Sequence, residues 1–528
     1  MIHTTSYLFD HLSPDGETLF ITPYSPAIKR DATELNPIKV SDVAYFVRAS
    51  SGPSSGEVTG YYLGRNSDAS YNTFKFTLDA DSPPLPQTLD HLFAPKRFDG
   101  AERPRTVEIV SNPASGHGYS NALLNDVVRP LLRPLEGNGS LRVRSWETQS
   151  SGDGERVGRE LASEVGEDKA VIVFGGDGTV HEVLNGAIPR GETTGAKLDL
   201  ILIPTGTANA LYYHLFPPES SRYPVSTPHS PFYSLLAFLR TASASPTPLP
   251  LALNTIYRPP TSTLPQVPPI LTSVVASAAL HACLLHDAES LRSTHPGVER
   301  FKVAAQANVT KWWDGTLALP AQHARRYDPT TKTFVAPEAA SEEGESGGKQ
   351  GRGVELEGPF AYWVSSLTSR FESNFVVAPL RSPQHALAPS VGTKDGEDGA
   401  TIDLIIIRPL RHLPTKAAYG HDRGRVETRT EFASKVWQVT GGMYDGGKHV
   451  DMMYPGGEGV DDLSNSDGER TEIVEVWRTD EFKWTPAPSK ELKSNLVCLD
   501  GALHDLGEGG YLHTRVLGTR ETGLRVWS

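Results

Sequence analysis

Three short runs of small residues carry the chemistry in this chain. They are Ser111-Asn112-Pro113-Ala114-Ser115-Gly116-His117-Gly118, Gly175-Gly176-Asp177-Gly178-Thr179 and Pro204-Thr205-Gly206-Thr207-Ala208-Asn209. Glycine permits φ > 0 and close backbone approach, and amides at a following helix start can donate to anionic oxygens. Three such runs together predict a phosphate cradle. The middle run adds a carboxylate, Asp177, flanked by glycines. A charge in that setting has no packing purpose, so it reads as a catalytic base or a magnesium-handling group. Each run alone says less. The first lacks the lysine of a P-loop, and Gly116-His117-Gly118 lacks the third glycine of a dinucleotide fingerprint. Thr179 and Glu182 have the spacing of a capping box, which predicts the helix start behind Asp177.

Each run follows an apolar segment that reads as a buried strand: TVEIV from 106, AVIVF over 170–174 and LDLILI from 198. NALLNDVVRPLLRPL (121–135) and HEVLNGAI (181–188) instead repeat apolar residues at helical spacing. Strands alternating with helices predict an α/β domain over 101–245, a parallel sheet covered on both faces. Loops leaving the carboxyl ends of such strands gather on one edge, where ligands bind.

The flanks read differently. Residues 1–100 hold short alternating runs such as VAYFVRAS and YNTFKFTLDA between Gly, Pro and Ser clusters, which predicts a small accessory β domain. A charged, Pro-containing linker follows over 94–105, and ASASPTPLPLA (242–252) breaks the α/β block on its far side. From 250 to 528 strand-like runs dominate again. Two acidic Gly/Ser-rich stretches, 338–358 and 454–470, read as disordered insertions.

Composition excludes several classes. The 48 glycines and 41 prolines among 528 residues exceed the usual share of roughly 12%, which argues against coiled coils and helical bundles. A net charge of −13 gives no basic field for nucleic acid. Only Cys283 and Cys498 occur, so neither a disulfide scaffold nor a Cys-rich zinc site is expected. His281, His286 and His295 lack zinc spacing with them. The most apolar window, 269–285, contains Thr272, two serines and His281 and is shorter than the roughly 20 residues of a membrane span. The start, MIHTTSYLFDHLSPDGE, lacks a signal-peptide pattern, so a cytoplasmic protein is expected.

GGDGTVHEVLNG (175–186) closely resembles the signature of the diacylglycerol kinase-type catalytic domain, shared by diacylglycerol, sphingosine and ceramide kinases. VSNPASGHG and IPTGTANAL are similar to that family's first and third loops, in the right order. Phosphofructokinases and NAD kinases share only the GGDG part. The resemblance implies a nucleotide-binding α/β domain joined to an antiparallel β-sandwich that holds the lipid, with ATP between them. It implies ATP contacts from Asn112, Pro113, Ser115, Gly116, Gly118, Gly175, Gly176, Gly178, Thr179, Thr205, Gly206, Thr207 and Asn209. Residues 281–302 are similar to a sphingosine-kinase segment, which implies Asp287 at the substrate head group and Arg292 and Arg300 at the ATP phosphates. Some lipid kinases of this group carry a pleckstrin-homology-like module, which the resemblance implies for the accessory domain. Asp500-Gly501 falls where sphingosine kinases carry Asp-Gly-Glu, so Asp500 is the implied metal ligand.

Two departures stand out. Ala208 replaces a usual glycine, and Ala502 replaces the usual glutamate. The expectation is an ATP- and Mg²⁺-dependent lipid kinase, visiting a membrane surface reversibly and acting on a sphingoid long-chain base through Asp177 as base. The alternatives are a diacylglycerol or ceramide kinase, a NAD kinase, or a catalytically weak lipid-binding protein. His181 is expected to pack its helix, and Trp312-Trp313 to be core or membrane-rim aromatics.

Overall fold

The computed structural model describes residues 6–24, 35–48, 57–68, 70–94, 104–163, 169–188, 198–223, 226–240, 246–295, 297, 299–337, 353–381, 400–422, 426–455, 458–459, 471–518 and 522–528. The strand Lys169–Gly175 is buried along its whole length and pairs in parallel with Arg105–Ser111 on one side and Leu198–Pro204 on the other. Its side chains alternate between two cores. Val171 and Val173 meet the helices Asp153–Ser163 and Asp177–Ala187, whereas Ala170, Ile172 and Phe174 meet Arg129–Gly137 and Tyr233–Leu239. A strand covered on both faces needs apolar residues at every position, which is why AVIVF has no polar alternation.

The sheet runs Thr247–Pro248, Leu524–Val526, Leu198–Pro204, Lys169–Gly175, Arg105–Ser111, Leu141–Glu147 in spatial order. Its second strand comes from the last residues of the chain. Leu524–Val526 pairs in parallel with Leu198–Leu200, and Trp527 is buried behind it. The expected division at 250 therefore misplaces the C-terminus, which completes the α/β sheet.

The described strands between 251 and 517 form two antiparallel sheets. One runs Ile270–Thr272, Leu251–Tyr257, Tyr511–Leu517, Glu481–Pro486, Gly315–Leu319, Val354–Glu357. The other has eight strands, with Ile402–Ile407, Tyr362–Ser366, Val275–Ala278 and Leu496–Leu499 adjacent at its centre. Trp363 from the larger sheet packs on Phe482 and Trp484 from the smaller, with centroids 5.8 and 5.3 Å apart. The two sheets thus share one aromatic core. Trp312 and Trp313 are buried, the former against Tyr419 and Phe432.

Three expectations need correction here. The strand-like pattern expected from 250 onward does not hold through the apolar run 270–285, because Ala279 takes φ 53° and starts the helix Ala279–Ser290. A second unforeseen helix is Val426–Tyr444, which buries Phe432, Val436, Val439 and Met443. The insertion expected over 338–358 ends early, since Val354–Glu357 pairs with Gly315–Leu319. Residues 338–352 of that stretch, and 456–457 and 460–470 of the other, lie outside the described residues.

The N-terminal sheet has six strands in the order Asn36–Lys39, Thr18–Tyr24, Ser6–Leu12, Tyr71–Leu78, Val58–Arg65, Val43–Arg48. It has its own core around Leu19, Phe46 and Phe76. Tyr45 faces the other way, into the α/β layer, and donates to the Leu131 carbonyl. Arg240 returns the contact by donating to the carbonyls of Ala44 and Val43 at 2.8 and 2.9 Å.

Candidate active site

The three loops meet through backbone. Gly116 takes φ 55°, and a Cβ there would stand 2.2 Å from the Thr205 carbonyl oxygen. Gly206 lies so near Gly176 that a Cβ on it would come within 2.3 Å of the Gly176 Cα. Any side chain at those positions would force the loops apart. Polar contacts tie the same knot: Asn112 Nδ2 donates to Thr179 Oγ1 at 3.0 Å, and Thr205 N to the Gly175 carbonyl at 3.2 Å. Ser120 Oγ donates to the Asn112 carbonyl at 2.8 Å and stands 3.0 Å from Thr205 Oγ1. Asn209, at φ 57°, closes the third loop by exchanging 2.9 Å hydrogen bonds with Gly206. Ala208 therefore sits in a turn held by its neighbour's side chain.

Asp177 joins the second loop to the third. Its Oδ2 accepts from Ala210 N at 2.8 Å and its Oδ1 from Leu211 N at 3.0 Å. Burial pushes its carboxyl up to about 6, against the opposing pull of the Leu211 and Ala210 amides, and the charge of Asp500 adds to the rise. A carboxylate oxygen has two lone pairs, so each oxygen retains one for a further donor. Gly178 beside it is exposed, and a Cβ there would meet no protein atom within 4 Å.

The capping box is not formed. The helix Asp177–Ala187 starts one turn earlier, with Gly176 at its N-cap and no side-chain cap. Glu182 instead accepts from the amides of Gly152 and Gly154, both at 3.0 Å, holding the neighbouring helix Asp153–Ser163. Spacing alone cannot distinguish these two uses of a glutamate.

One face of the Asp177–Ala187 helix forms the seam with the antiparallel sheets. Asp177, His181 and Asn185 follow one another at four-residue spacing, so they share a side. His181 Nδ1 is 3.5 Å from Asp500 Oδ2. Asn185 accepts from Leu271 N at 2.8 Å and donates to the Leu271 carbonyl at 3.0 Å. Of these three, the sequence pointed to Asp177 for chemistry and to His181 only as a helix-packing residue, and His181 is buried.

Asp500 is placed near this seam but not as a free ligand. Its oxygens accept from the backbone amides of Ser273, Val274 and Val275 at 2.7, 2.9 and 2.8 Å, and it is 4% exposed. Among the described residues no group of three His, Cys, Asp or Glu side chains gathers as a metal site. Magnesium in phosphoryl-transfer sites is commonly held by one or two carboxylates with the phosphates and water. Asp500 Oδ1 already takes two of these amides and Oδ2 one, so a single lone pair on Oδ2 is left for such a part, with His181 Nδ1 3.5 Å from it.

The remaining expected residues stand on the helix pair Ala279–Ser290 and Glu299–Asn308. Asp287 Oδ2 accepts from Lys493 Nζ at 2.6 Å and from Asn308 Nδ2 at 2.7 Å, and His286 Nδ1 is 3.0 Å from Oδ1. Desolvation acts to raise this carboxyl, but Lys493, Asn308 and His286 outweigh it and hold it down at about 2. Arg292 is exposed and paired with Glu289 at 3.0 Å, and Arg300 stacks over Phe301. No hydrogen bond or ion pair among the described residues joins Asp287, Arg292 or Arg300 to the three loops. Lys493 and Asn308 were missed because they lie 206 and 21 residues from Asp287.

Residues 106–228 match the diacylglycerol kinase catalytic domain. Among curated relatives, sphingosine kinase 1 of Rattus norvegicus is 37% identical over 112 residues, 21% of this chain and 27% of that protein. Sphingoid long-chain bases kinase 1 of Arabidopsis thaliana is 33% identical over 109 residues, 20% of this chain and 13% of that one. Sphingosine kinase B of Dictyostelium discoideum is 27% identical over 140 residues, covering 26% and 18%. The chain thus spans 13% to 27% of the length of these relatives. No helix among the described residues is long and apolar enough to cross a membrane.

Proposed function

We propose that the chain is an ATP-dependent lipid kinase that phosphorylates the primary hydroxyl of a sphingoid long-chain base. The observation that carries this reading is Asp177, a carboxylate pushed up to about 6 at the junction of three glycine-rich loops. The matched catalytic domain and the sphingosine kinase relatives support it. In this reading the three loops hold the ATP phosphates on backbone amides. The lipid hydroxyl oxygen bonds to the γ-phosphorus as the bond to the bridging oxygen breaks. ADP leaves, and the hydroxyl proton passes to a free lone pair of Asp177. Such transfer needs mainly positioning and charge stabilisation. Magnesium, when bound with the nucleotide, neutralises phosphate charge.

Asp287 in this reading meets the substrate amine, and the protein works at a membrane surface from the cytoplasm. A second reading, diacylglycerol or ceramide as substrate, draws support from Lys493, which already neutralises Asp287. The test is direct: purified protein with γ-labelled ATP against micelles of sphingoid base, ceramide and diacylglycerol. Label in the sphingoid base supports the proposal. Label in no lipid would overturn it.

A further inference from the structure

We propose that Lys493 is a resident counter-ion for Asp287, which a cationic lipid head group must displace, making Lys493 a specificity-determining residue. The inference rests on Asp287 as the reader of the substrate amine. Lys493 Nζ stands 2.6 Å from Asp287 Oδ2, in the place a substrate ammonium would take. Its own backbone is anchored independently. The Lys493 carbonyl accepts from Trp313 Nε1 at 3.0 Å and lies 3.4 Å from Cys283 Sγ.

The pair is open to exchange. The side chains of Asp287 and Lys493 are 23% and 31% exposed, enough for the flexible lysine stem to swing into water. What stays behind is prepared for a cation. Asn308 Nδ2 remains 2.7 Å from Asp287 Oδ2, and its amide orientation is set by Lys311, which donates to Asn308 Oδ1 at 2.9 Å. His286 remains on Oδ1 at 3.0 Å. With Lys493 in place the carboxylate charge is cancelled, and Lys311 leaves the surroundings positive. A neutral head group meets no competitor there. An ammonium must replace Lys493, so its affinity is set by the difference between two similar ion pairs.

Removing Lys493 should therefore tighten binding of one lipid class only. Lys493→Met keeps the apolar stem, and Asn308 and His286 still donate to Asp287, so the fold should hold. A charge-assisted hydrogen bond of the strength lost here corresponds to about a tenfold change in affinity. Lys493→Met is expected to lower KM for a sphingoid base about tenfold, with KM for ATP unchanged. In an Asp287→Asn background the same substitution should have no effect. The experiment measures both KM values for the full chain, the two single variants and the double variant, with melting temperature as the folding control. An unchanged or raised sphingoid KM in folded Lys493→Met, beside a raised one in Asp287→Asn, would overturn the counter-ion role and spare the head-group reading. Wild-type protein that ignores sphingoid base, or an Asp287→Asn variant with unaltered KM for it, would remove the head-group reading and this inference with it.

Discussion

The loop cradle and the Asp287 cluster are built in opposite ways. The cradle is made of backbone, with Gly116 against the Thr205 carbonyl and Gly206 against Gly176 so closely that a Cβ on Gly116 or Gly206 would collide. The Asp287 cluster is made of long side chains drawn from three separate segments. Backbone contacts between glycines tolerate almost no change, whereas a lysine–carboxylate pair can exchange partners. One region thus suits a ligand that never varies, such as a triphosphate. The other suits a choice between substrates.

The largest effect should come from the carboxylate that joins two loops. Asp177→Asn is expected to lower kcat about 10²–10⁴-fold, the usual contribution of a general base. It also turns one acceptor into a donor facing Ala210 N or Leu211 N. A loss of roughly 1–3 kcal/mol in stability should accompany it. Calorimetry beside the turnover assay separates the two. Full turnover in the folded variant would show that Asp177 only fastens the loops.

Next comes Gly178, the cradle position with space around it. Gly178→Asp should leave the melting temperature within a degree or so while weakening binding of a fluorescent ATP analogue at least tenfold, because like charges meet at about 4 Å. Lipid-vesicle association should survive. If nucleotide affinity is untouched, the cradle holds something other than phosphate.

The contrast also explains what could be read in advance. Glycines that touch through backbone leave their mark in residue type, so all three loops and their order along the strands were legible. Asp177 stood out as a carboxylate among glycines, but its fastening of Ala210 and Leu211, 33 and 34 residues on, did not. The Asp287–Lys493 pair was not, since nothing in a sequence links residues 206 positions apart. The C-terminal strand carries only LRV as a signal, too short to assign to one sheet over another. The helix Val426–Tyr444 did leave a trace: Phe432, Val436, Val439 and Met443 recur at helical spacing, but glycines and charges around them blur it. Asp500 was singled out by its Asp-Gly pattern, yet its three amide partners are visible only once the chain folds.

A milder effect should follow from pH. If Asp177 must be ionised to take the proton, kcat/KM should rise through a midpoint near pH 6 and level off above it. At one pH unit below the midpoint the rate falls about tenfold. The stability term has the opposite slope. A carboxyl raised from 3.8 to about 6 holds its proton better in the folded state, so its contribution is present below pH 3.8 and lost as pH rises through 6. A rate profile flat from pH 5 to 8 would deny Asp177 the role of base.

The smallest effect concerns how the seam tunes that midpoint. The charge of Asp500 raises Asp177, while His504, held at about 4 mainly by burial, is neutral near pH 6. Asp500→Asn removes the negative neighbour, so the kcat/KM midpoint should move to lower pH, by less than a unit. The shift is small because the Asp500 charge is spread over three amides from Ser273 to Val275. Asparagine cannot accept all three with its single oxygen, so melting temperature should fall as well. Those two readouts part the electrostatic role from the structural one. A lower melting temperature with an unmoved midpoint would make Asp500 a clamp on the 273–275 turn and nothing more. A moved midpoint would mean that the antiparallel sheets, through one buried carboxylate, set the proton affinity of the base in the loop cradle.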